Sequence, residues 1–162
     1  AWGNRLLEVY ESPTNIYPRG GGIGQAIGMA IGAAVASADV PTLALVGDGG
    51  LQVQLGELAT IAQEQLPIVV VVFDDGGDGV VRNMQDRHLD RRAGVDLSTP
   101  DYVAVARAHG IEAHEVDDVD GFDRAFAEVV GSGRPGLVRV DCAGLGDMAV
   151  PFVPPVHIPG ST

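Results

Sequence analysis

The sequence contains no lysine, because all ten of its basic residues are arginines. This absence excludes chemistry that needs an ε-ammonium group, such as Schiff-base catalysis or phosphate binding by a P-loop lysine. The arginines are outnumbered by 22 Asp and Glu residues, which gives a formal net charge of −12. Such a chain repels a phosphate backbone, and its most basic stretch, residues 82–92, is interrupted by Asp86 and Asp90. We therefore expect no nucleic-acid partner.

Cysteine and long apolar runs are scarce as well. The single cysteine, Cys142, can form neither an internal disulfide nor a multi-cysteine zinc site, and we interpret it as a small buried hydrophobic residue. The sequence has no apolar stretch of about 18 residues, the length of a membrane-spanning helix, and no recognisable secretory signal. These absences favour a cytoplasmic protein that does not bind membranes.

The residues that are present suit one folded domain. The 162 residues are 46% hydrophobic and 20% charged, and 23 glycines indicate many tight turns. We expect residues 1–150 to form a single domain and the proline-rich residues 151–162 to form an extended tail.

Short apolar runs alternate with helical patterns along most of the chain. The run at residues 68–73 is apolar throughout, which is typical of a central strand that is covered on both faces. This alternation predicts an α/β fold, a doubly wound and mostly parallel sheet with helices on both faces and ligands at the carboxyl ends of its strands. The predicted strands are 42–46, 68–73, 111–116 and 137–141, and the predicted helices are 24–38, 52–65, 102–109 and 121–130.

Three local features extend this prediction. Residues 80–98 are weakly patterned and are expected to form a long loop with some helix. Thr99 is predicted as the N-cap of the helix that follows, with Pro100 in its first position. The helix at 24–38 is apolar all round and carries a glycine every fourth residue, at 24, 28 and 32. We expect it to be buried, and its glycine stripe leaves room for another backbone to approach closely.

Two acidic glycine turns follow the predicted inner strands. The first contains Gly47, Asp48, Gly49 and Gly50, and the second begins at Asp74 and Asp75. Because parallel strands emit their turns at one edge of a sheet, Asp48 and Asp75 can converge on one divalent cation. Oxygen ligands beside free glycine amides at a helix start are suited to magnesium that bridges a diphosphate.

This pair of turns resembles the signature of thiamine-diphosphate enzymes. The residues from 20 to 34 and from 51 to 62 are also similar to the diphosphate-binding domain of acetolactate synthases, benzoylformate decarboxylases and related 2-oxoacid decarboxylases. A paired motif at set spacing, with matching secondary structure, is more specific than a single glycine loop.

The resemblance implies a role for each matching residue. Asp48 and Asp75 would bind Mg²⁺ through their side chains, and Gly77 would bind it through its carbonyl oxygen. Ile23 would wedge between the two rings of thiamine diphosphate and enforce a bent cofactor, and the Gly21 carbonyl would accept a hydrogen bond from the pyrimidine amino group. The backbone amides of Gly49 and Gly50 would face the diphosphate. Gly22 and Gly47 complete the two cofactor-binding segments.

The implied activity is decarboxylation of a small 2-oxo acid, or ligation of the product to a second carbonyl compound. In this family the glutamate that activates the pyrimidine ring belongs to a separate N-terminal domain, and no match to that domain is recognised in these 162 residues. The resemblance therefore also implies an N-terminal pyrimidine-binding domain or subunit as partner, without which the chain is expected to be inactive. It further implies that the glycine stripe lies near a contact between subunits of a homo-oligomer.

The chain also departs from the family pattern at two places in the second turn. Many relatives have Asn where Asp74 and Asp75 stand. Because Asp75 adds a negative charge, the affinity for the cofactor is expected to depend more strongly on the cation here. Asp78 replaces a residue that is commonly aromatic, which changes the contacts expected beside the cofactor.

Other interpretations remain open at the level of sequence. The chain could be a remnant domain that folds and self-associates without catalysis, or a dinucleotide-binding oxidoreductase module built on the glycines around Gly22. A calcium loop from Asp74 is disfavoured because its twelfth position is Gln85 rather than Glu. The acidic residues at 117, 118 and 120 suit a solvated turn better than a second metal site, and the four histidines show no spacing typical of shared ligands, although His88 could lie near substrate.

Overall fold

A computed structural model describes residues 7–11, 14–17, 22–143 and 145 of the chain. Gly21 and the predicted tail at 151–162 lie outside the described residues. The described part contains a four-stranded sheet in the order β1-β2-β4-β3, and every neighbouring pair of strands is parallel. The strands are β1 (Thr42–Gly47), β2 (Ile68–Asp74), β3 (Glu112–Val116) and β4 (Gly136–Asp141).

Helices connect the strands and cover both faces of the sheet, which confirms the doubly wound α/β prediction. None of the helices in the described ranges has the length and hydropathy required to cross a membrane. They are α1 (Ala26–Ala36), α2 (Asp48–Val53), α3 (Leu58–Gln63), α4 (Gly79–His88), α5 (Tyr102–Ala108) and α6 (Val119–Ser132), with a 3₁₀ turn at Leu55–Glu57 between α2 and α3.

Strand β2 lies inside the sheet, and its side chains alternate between two hydrophobic clusters. Ile68, Val70 and Val72 pack with residues of α1, α3 and α5 on one face. Val69 and Val71 pack with residues of α6 on the other face. This arrangement explains why residues 68–72 of the strand are all apolar, because neither face of a covered parallel strand meets water.

Helix α1 is less buried than its composition predicted. Ile27, Ala30 and Ala34 are buried against the sheet, but Val35 on the opposite side is 67% exposed. The helix begins at Ala26, so Gly24 precedes it and the glycine stripe is reduced to Gly28 and Gly32, both of which are exposed. In the described chain the stripe therefore covers no other element.

The predicted helix at 52–65 was wrong in its start and its continuity. Helix α2 begins immediately after β1, at Asp48, and the 3₁₀ turn separates it from α3. The segment predicted mainly as loop contains the ten-residue helix α4. Helix α5 is capped by Asp101 rather than Thr99, because the Asp101 carboxylate accepts a hydrogen bond from the Ala104 amide at 2.9 Å.

Two of the smaller predictions also have structural outcomes. The acidic turn at 117–120 is exposed, as expected, and Asp118 additionally caps α6 by accepting a 2.6 Å hydrogen bond from the Gly121 amide. Cys142 is half-buried rather than buried, and burial raises the pKa of its thiol to about 11. The thiol is therefore protonated at neutral pH.

Candidate functional site

The two acidic turns meet at the carboxyl edge of the sheet. Strands β1 and β2 are paired so that Gly47 lies beside Phe73. Strand β1 ends at Gly47, and β2 ends one residue after Phe73. The Asp48 carboxylate accepts a buried hydrogen bond of 2.7 Å from the Gly77 amide. The turn after β1 is therefore joined to the loop after β2.

Asp48 is buried although it is an acid. Its side chain is 2% exposed, and burial raises the pKa of the carboxyl group to about 6, with smaller contributions from Asp75 and Asp74. Backbone hydrogen bonds from Gly49 and Gly77 act in the opposite direction. The Asp48 backbone is held as well, since the buried Tyr102 hydroxyl donates to its carbonyl oxygen at 3.0 Å.

Asp75 lies nearer to solvent than Asp48. Partial burial raises the pKa of its carboxyl group, the Arg82 guanidinium opposes this rise, and Asp74 and Asp78 reinforce it. Asp75 therefore presents a carboxylate whose negative charge is destabilised by its acidic neighbours. A bound cation would relieve that repulsion.

Asp74 has different partners from Asp75. Its buried carboxylate accepts from the Gly76 amide at 3.1 Å and from Arg139 Nε at 2.8 Å. Arg139 also contacts Glu115 at 2.8 Å, so its guanidinium links β4 to β3 and to the end of β2. Sequence reasoning missed this ion pair, because nothing in the local pattern around Asp74 indicates an arginine 65 residues away.

Asp78 is turned toward the first turn. A Cβ atom at Gly49 would lie 2.7 Å from the Asp78 Oδ1 atom, so a larger residue at position 49 would displace this carboxylate. Asp78 therefore adds a negative charge beside Gly49, where the family pattern commonly has an aromatic ring.

The loop that follows β2 is held by residues 95–97. Asp78 donates from its amide to the Val95 carbonyl at 3.0 Å, and Leu97 donates to the Gly76 carbonyl at 3.3 Å. Between them, Gly77 forms an isolated antiparallel bridge with Asp96. Gly77 has a φ of +147°, and a Cβ atom there would lie 2.3 Å from the Val95 carbonyl oxygen, so the position requires glycine. Sequence reasoning placed residues 95–97 in a weakly patterned loop and missed this support.

The glycine segment before α1 lies against the helix that follows the first turn. Gly24 has a φ of +75°, and a Cβ atom there would lie 2.4 Å from Val53 in α2. The Gly28 amide donates to the Gln54 side chain at 3.2 Å. Ile23, the predicted wedge residue, is 67% exposed, and the Gly22 carbonyl accepts from Gln25 at 3.1 Å. The two predicted cofactor-binding segments are thus neighbours.

The charges at this edge suit a divalent cation. Four carboxylates lie here, from Asp48, Asp74, Asp75 and Asp78. The guanidinium groups of Arg82 and Arg139 balance their charge only in part, because the same two groups also contact Asp96 and Glu115. Carboxylate and carbonyl oxygens are the ligands that Mg²⁺ prefers. The donor set therefore fits magnesium, and a cation is required before a diphosphate can lie beside these carboxylates without strong repulsion.

A second group of potential metal ligands lies at the other end of the sheet. Single ligand atoms of Glu112, His114 and Glu128 lie within 4.8 Å of one another. Glu112 already contacts His114 at 3.3 Å and Arg134 at 3.7 Å, so part of its charge is balanced. The spacing of the histidines did not indicate this group, since its members come from β3 and α6.

Comparison with known proteins identifies the family. Residues 1–140 match the sequence family described as "Thiamine pyrophosphate enzyme, C-terminal TPP binding domain". The chain belongs to this family. The match confirms the resemblance drawn from the paired turns. It gives no support to the dinucleotide-binding alternative. The calcium-loop alternative is wrong, because strand β2 rather than a helix precedes the second turn.

Individual relatives of this TPP-binding domain are synthases and decarboxylases. A probable acetolactate synthase large subunit from Methanocaldococcus jannaschii is 32% identical over 117 residues, which are 70% of this chain and 19% of the relative. A benzoylformate decarboxylase from Pseudomonas aeruginosa is 26% identical over 135 residues, which are 83% of this chain and 26% of the relative. The chain spans about a fifth of the length of the acetolactate synthase subunits it matches.

A solved structure supports the same fold. The thiamine diphosphate-dependent 4-hydroxybenzoylformate decarboxylase from Rhodococcus jostii RHA1 matches with a TM-score of 0.69 and 27% sequence identity. The match covers 74% of this chain and 23% of that chain. The roles of individual residues in this TPP-binding domain stay predictions, and the one assigned to Gly21 falls outside the described residues.

Proposed function

We propose that this chain is the cofactor-binding part of a Mg²⁺-dependent thiamine-diphosphate enzyme that decarboxylates a small 2-oxo acid or ligates the product to another carbonyl compound. The observation that carries the proposal is the hydrogen bond between Asp48 and Gly77, which joins the two predicted metal-binding turns in a chain of the TPP-binding family. The net negative charge at the site and its oxygen donors support a divalent cation in that position.

In this proposal each segment of the site has a separate task. Asp48, Asp75 and the Gly77 carbonyl hold Mg²⁺, and the amides of Gly49 and Gly50 bind the diphosphate. Ile23 supports the bend of the cofactor, for which its exposed side chain is accessible. Bound thiamine diphosphate supplies a nucleophilic carbon that adds to the 2-oxo acid and stabilises the negative charge left when carbon dioxide departs.

The proposal includes a partner that completes the site. The activating glutamate is assigned to an N-terminal pyrimidine-binding domain or subunit, since the matched relatives are about five times longer than the region they share with this chain. We also propose that the chain forms a homo-oligomer through α1. The open position of Gly32 supports this, because it allows close approach of another backbone.

A second candidate function is a folded, self-associating domain without catalysis. The open position of Gly32 on the exposed side of α1 supports self-association and is the observation that favours this alternative. The two candidates differ in what an added N-terminal partner domain does, because only a two-part enzyme gains decarboxylase activity from it.

Isothermal titration calorimetry with thiamine diphosphate tests the main proposal. The titration is performed on the chain alone and with a candidate N-terminal domain, in Mg²⁺ and in EDTA. We expect saturable binding that requires Mg²⁺ and that Asp48→Ala abolishes. Asp117→Ala is the matched control, because it removes the same charge from an exposed turn. An absence of Mg²⁺-dependent binding in the complete assembly would reject the proposed function. Binding without carbon dioxide release from any 2-oxo acid would favour the non-catalytic alternative.

A further inference from the structure

Arg82, in the first half of α4, lies across the loop that carries two of the proposed cation ligands. Its Nη1 atom donates to the Asp75 backbone carbonyl at 3.0 Å, and its Nη2 atom lies 4.0 Å from the Asp75 carboxylate. A Cβ atom at Gly77 would lie 2.8 Å from Nη2, so the guanidinium packs directly on that glycine. Arg82 therefore touches both Asp75 and Gly77.

The same guanidinium reaches the segment that supports the loop from its other side. Its Nε atom lies 3.0 Å from the Asp96 carboxylate, and Asp96 is the residue that bridges Gly77. The Arg82 side chain is only 18% exposed. The contact with Asp96 is an ion pair rather than a hydrogen bond, because the buried Nε atom has no hydrogen-bond partner among the described residues. One side chain thus contacts both the loop, to which Nη1 donates, and residues 95–97.

We propose that Arg82 and Asp96 are positioning residues that fix the Asp75–Gly77 loop in the geometry that binds the cation. The inference rests on the proposed function, because it assigns residues to the same cation site. Asp75 is partly exposed, and its direction is set by the backbone that carries it. The contacts from Arg82 to the Asp75 carbonyl and to Gly77 restrain that backbone.

A purely electrostatic role and a positioning role for Arg82 predict opposite effects on the affinity for Mg²⁺. A positive charge 4.0 Å from Asp75 repels a cation, so its removal would raise the affinity for Mg²⁺. A positioning role predicts a loss of affinity when the contacts are removed. Arg82→Lys distinguishes the two roles further, because it keeps the positive charge while its ammonium group cannot reproduce the planar set of donors.

The first experiment measures the Mg²⁺ concentration that gives half-maximal binding of thiamine diphosphate. We expect Arg82→Gln and Arg82→Lys each to raise this concentration about tenfold, and Asp96→Asn to raise it severalfold. Arg87→Gln is the matched control, because it removes the same charge from an exposed site on the same helix and is expected to change the value less than twofold. A lower Mg²⁺ requirement in Arg82→Gln, or an unchanged one in Arg82→Lys, would overturn the proposal.

The second experiment needs neither metal nor cofactor. Hydrogen exchange of the full chain is measured at the amides of Asp78 and Leu97, which join the loop to residues 95–97. We expect exchange at both amides to be at least fivefold faster in Arg82→Lys and Asp96→Asn than in wild type or Arg87→Gln. Unchanged exchange in both variants would contradict the positioning role.

The two experiments separate the two proposals. If wild type binds no cofactor in the complete assembly, the proposed function fails, while hydrogen exchange still decides whether Arg82 and Asp96 hold the loop. If the Arg82 variants do not fold, Asp96→Asn tests the positioning role. The Asp96 side chain is largely exposed, so this substitution leaves the core unchanged.

Discussion

The Gly77 amide donates a 2.7 Å hydrogen bond to the Asp48 carboxylate, across 29 residues of sequence and inside the protein. The bond joins the turn after β1 to the loop after β2. It also gives a buried carboxylate a backbone partner, which limits the free-energy cost of keeping its charge. The chain itself therefore supplies a direct contact between the two turns.

Asp48 is expected to destabilise the cofactor-free protein at neutral pH. The pKa of its carboxyl group is about 6 in the folded chain and close to 4 in an unfolded one, so the folded state holds the ionised form poorly. Asp48→Asn should therefore raise the free energy of unfolding at pH 7 by about 1–2 kcal/mol. The advantage should shrink as the pH falls through 6 and vanish below about pH 4, where Asp48 becomes protonated in both states. Urea unfolding across this pH range measures it, and a constant difference would contradict the prediction.

The ion pair between Asp74 and Arg139 is expected to stabilise the carboxyl end of β2. Arg139→Met leaves the buried Asp74 carboxylate without its counter-charge, which should cost about 3 kcal/mol of unfolding free energy. Adding Asp74→Asn should restore most of that loss, because the amide keeps an acceptor for Gly76 without a charge. Chemical denaturation of the two single variants and the double variant tests this coupling. Equal losses in Arg139→Met and in the double variant would show that the charge is not the cause.

Gly77 is expected to be more sensitive to substitution than its neighbour Gly76. Both residues have positive φ, but an added Cβ atom meets the Val95 carbonyl at 2.3 Å only at position 77, while nothing lies within 4 Å at position 76. Gly76→Ala should cost about 1 kcal/mol of backbone strain, and Gly77→Ala about 3 kcal/mol, because it adds a collision. Thermal unfolding compares the stability of the two variants. Similar losses of stability would mean that residues 95–97 move aside to accommodate the added Cβ atom.

The open glycine stripe on α1 is expected to lie in a contact between subunits. A Cβ atom at Gly32 meets nothing within 4 Å in the described chain, so Gly32→Leu should leave the fold of one subunit intact. We expect it to convert an oligomer into monomers in analytical ultracentrifugation. Gly131→Leu on α6 is the control, since position 131 is equally open. A wild-type chain that sediments as a monomer would contradict the prediction.

Local patterns in the sequence were sufficient for the fold and for the meeting of the two acidic turns at one edge of the sheet. The apolar run of β2, which packs on both faces, and the acidic turns after β1 and β2 are properties of a few consecutive residues. Parallel pairing then requires both turns to leave the sheet at one edge. The limits of the helices were less predictable, as α2 and α4 show, because their ends depend on what they pack against.

Only the tertiary structure decided which side chains support the two turns. Arg139 pairs with Asp74 across 65 residues, Tyr102 reaches the Asp48 carbonyl across 54, and Arg82 joins the loop after β2 to Asp96. Each contact links residues on separate elements, so neither residue carries a local signal of the other. Hydrophobic periodicity fixes which face of an element is buried, whereas the partner of a polar group depends on how whole elements are placed in space.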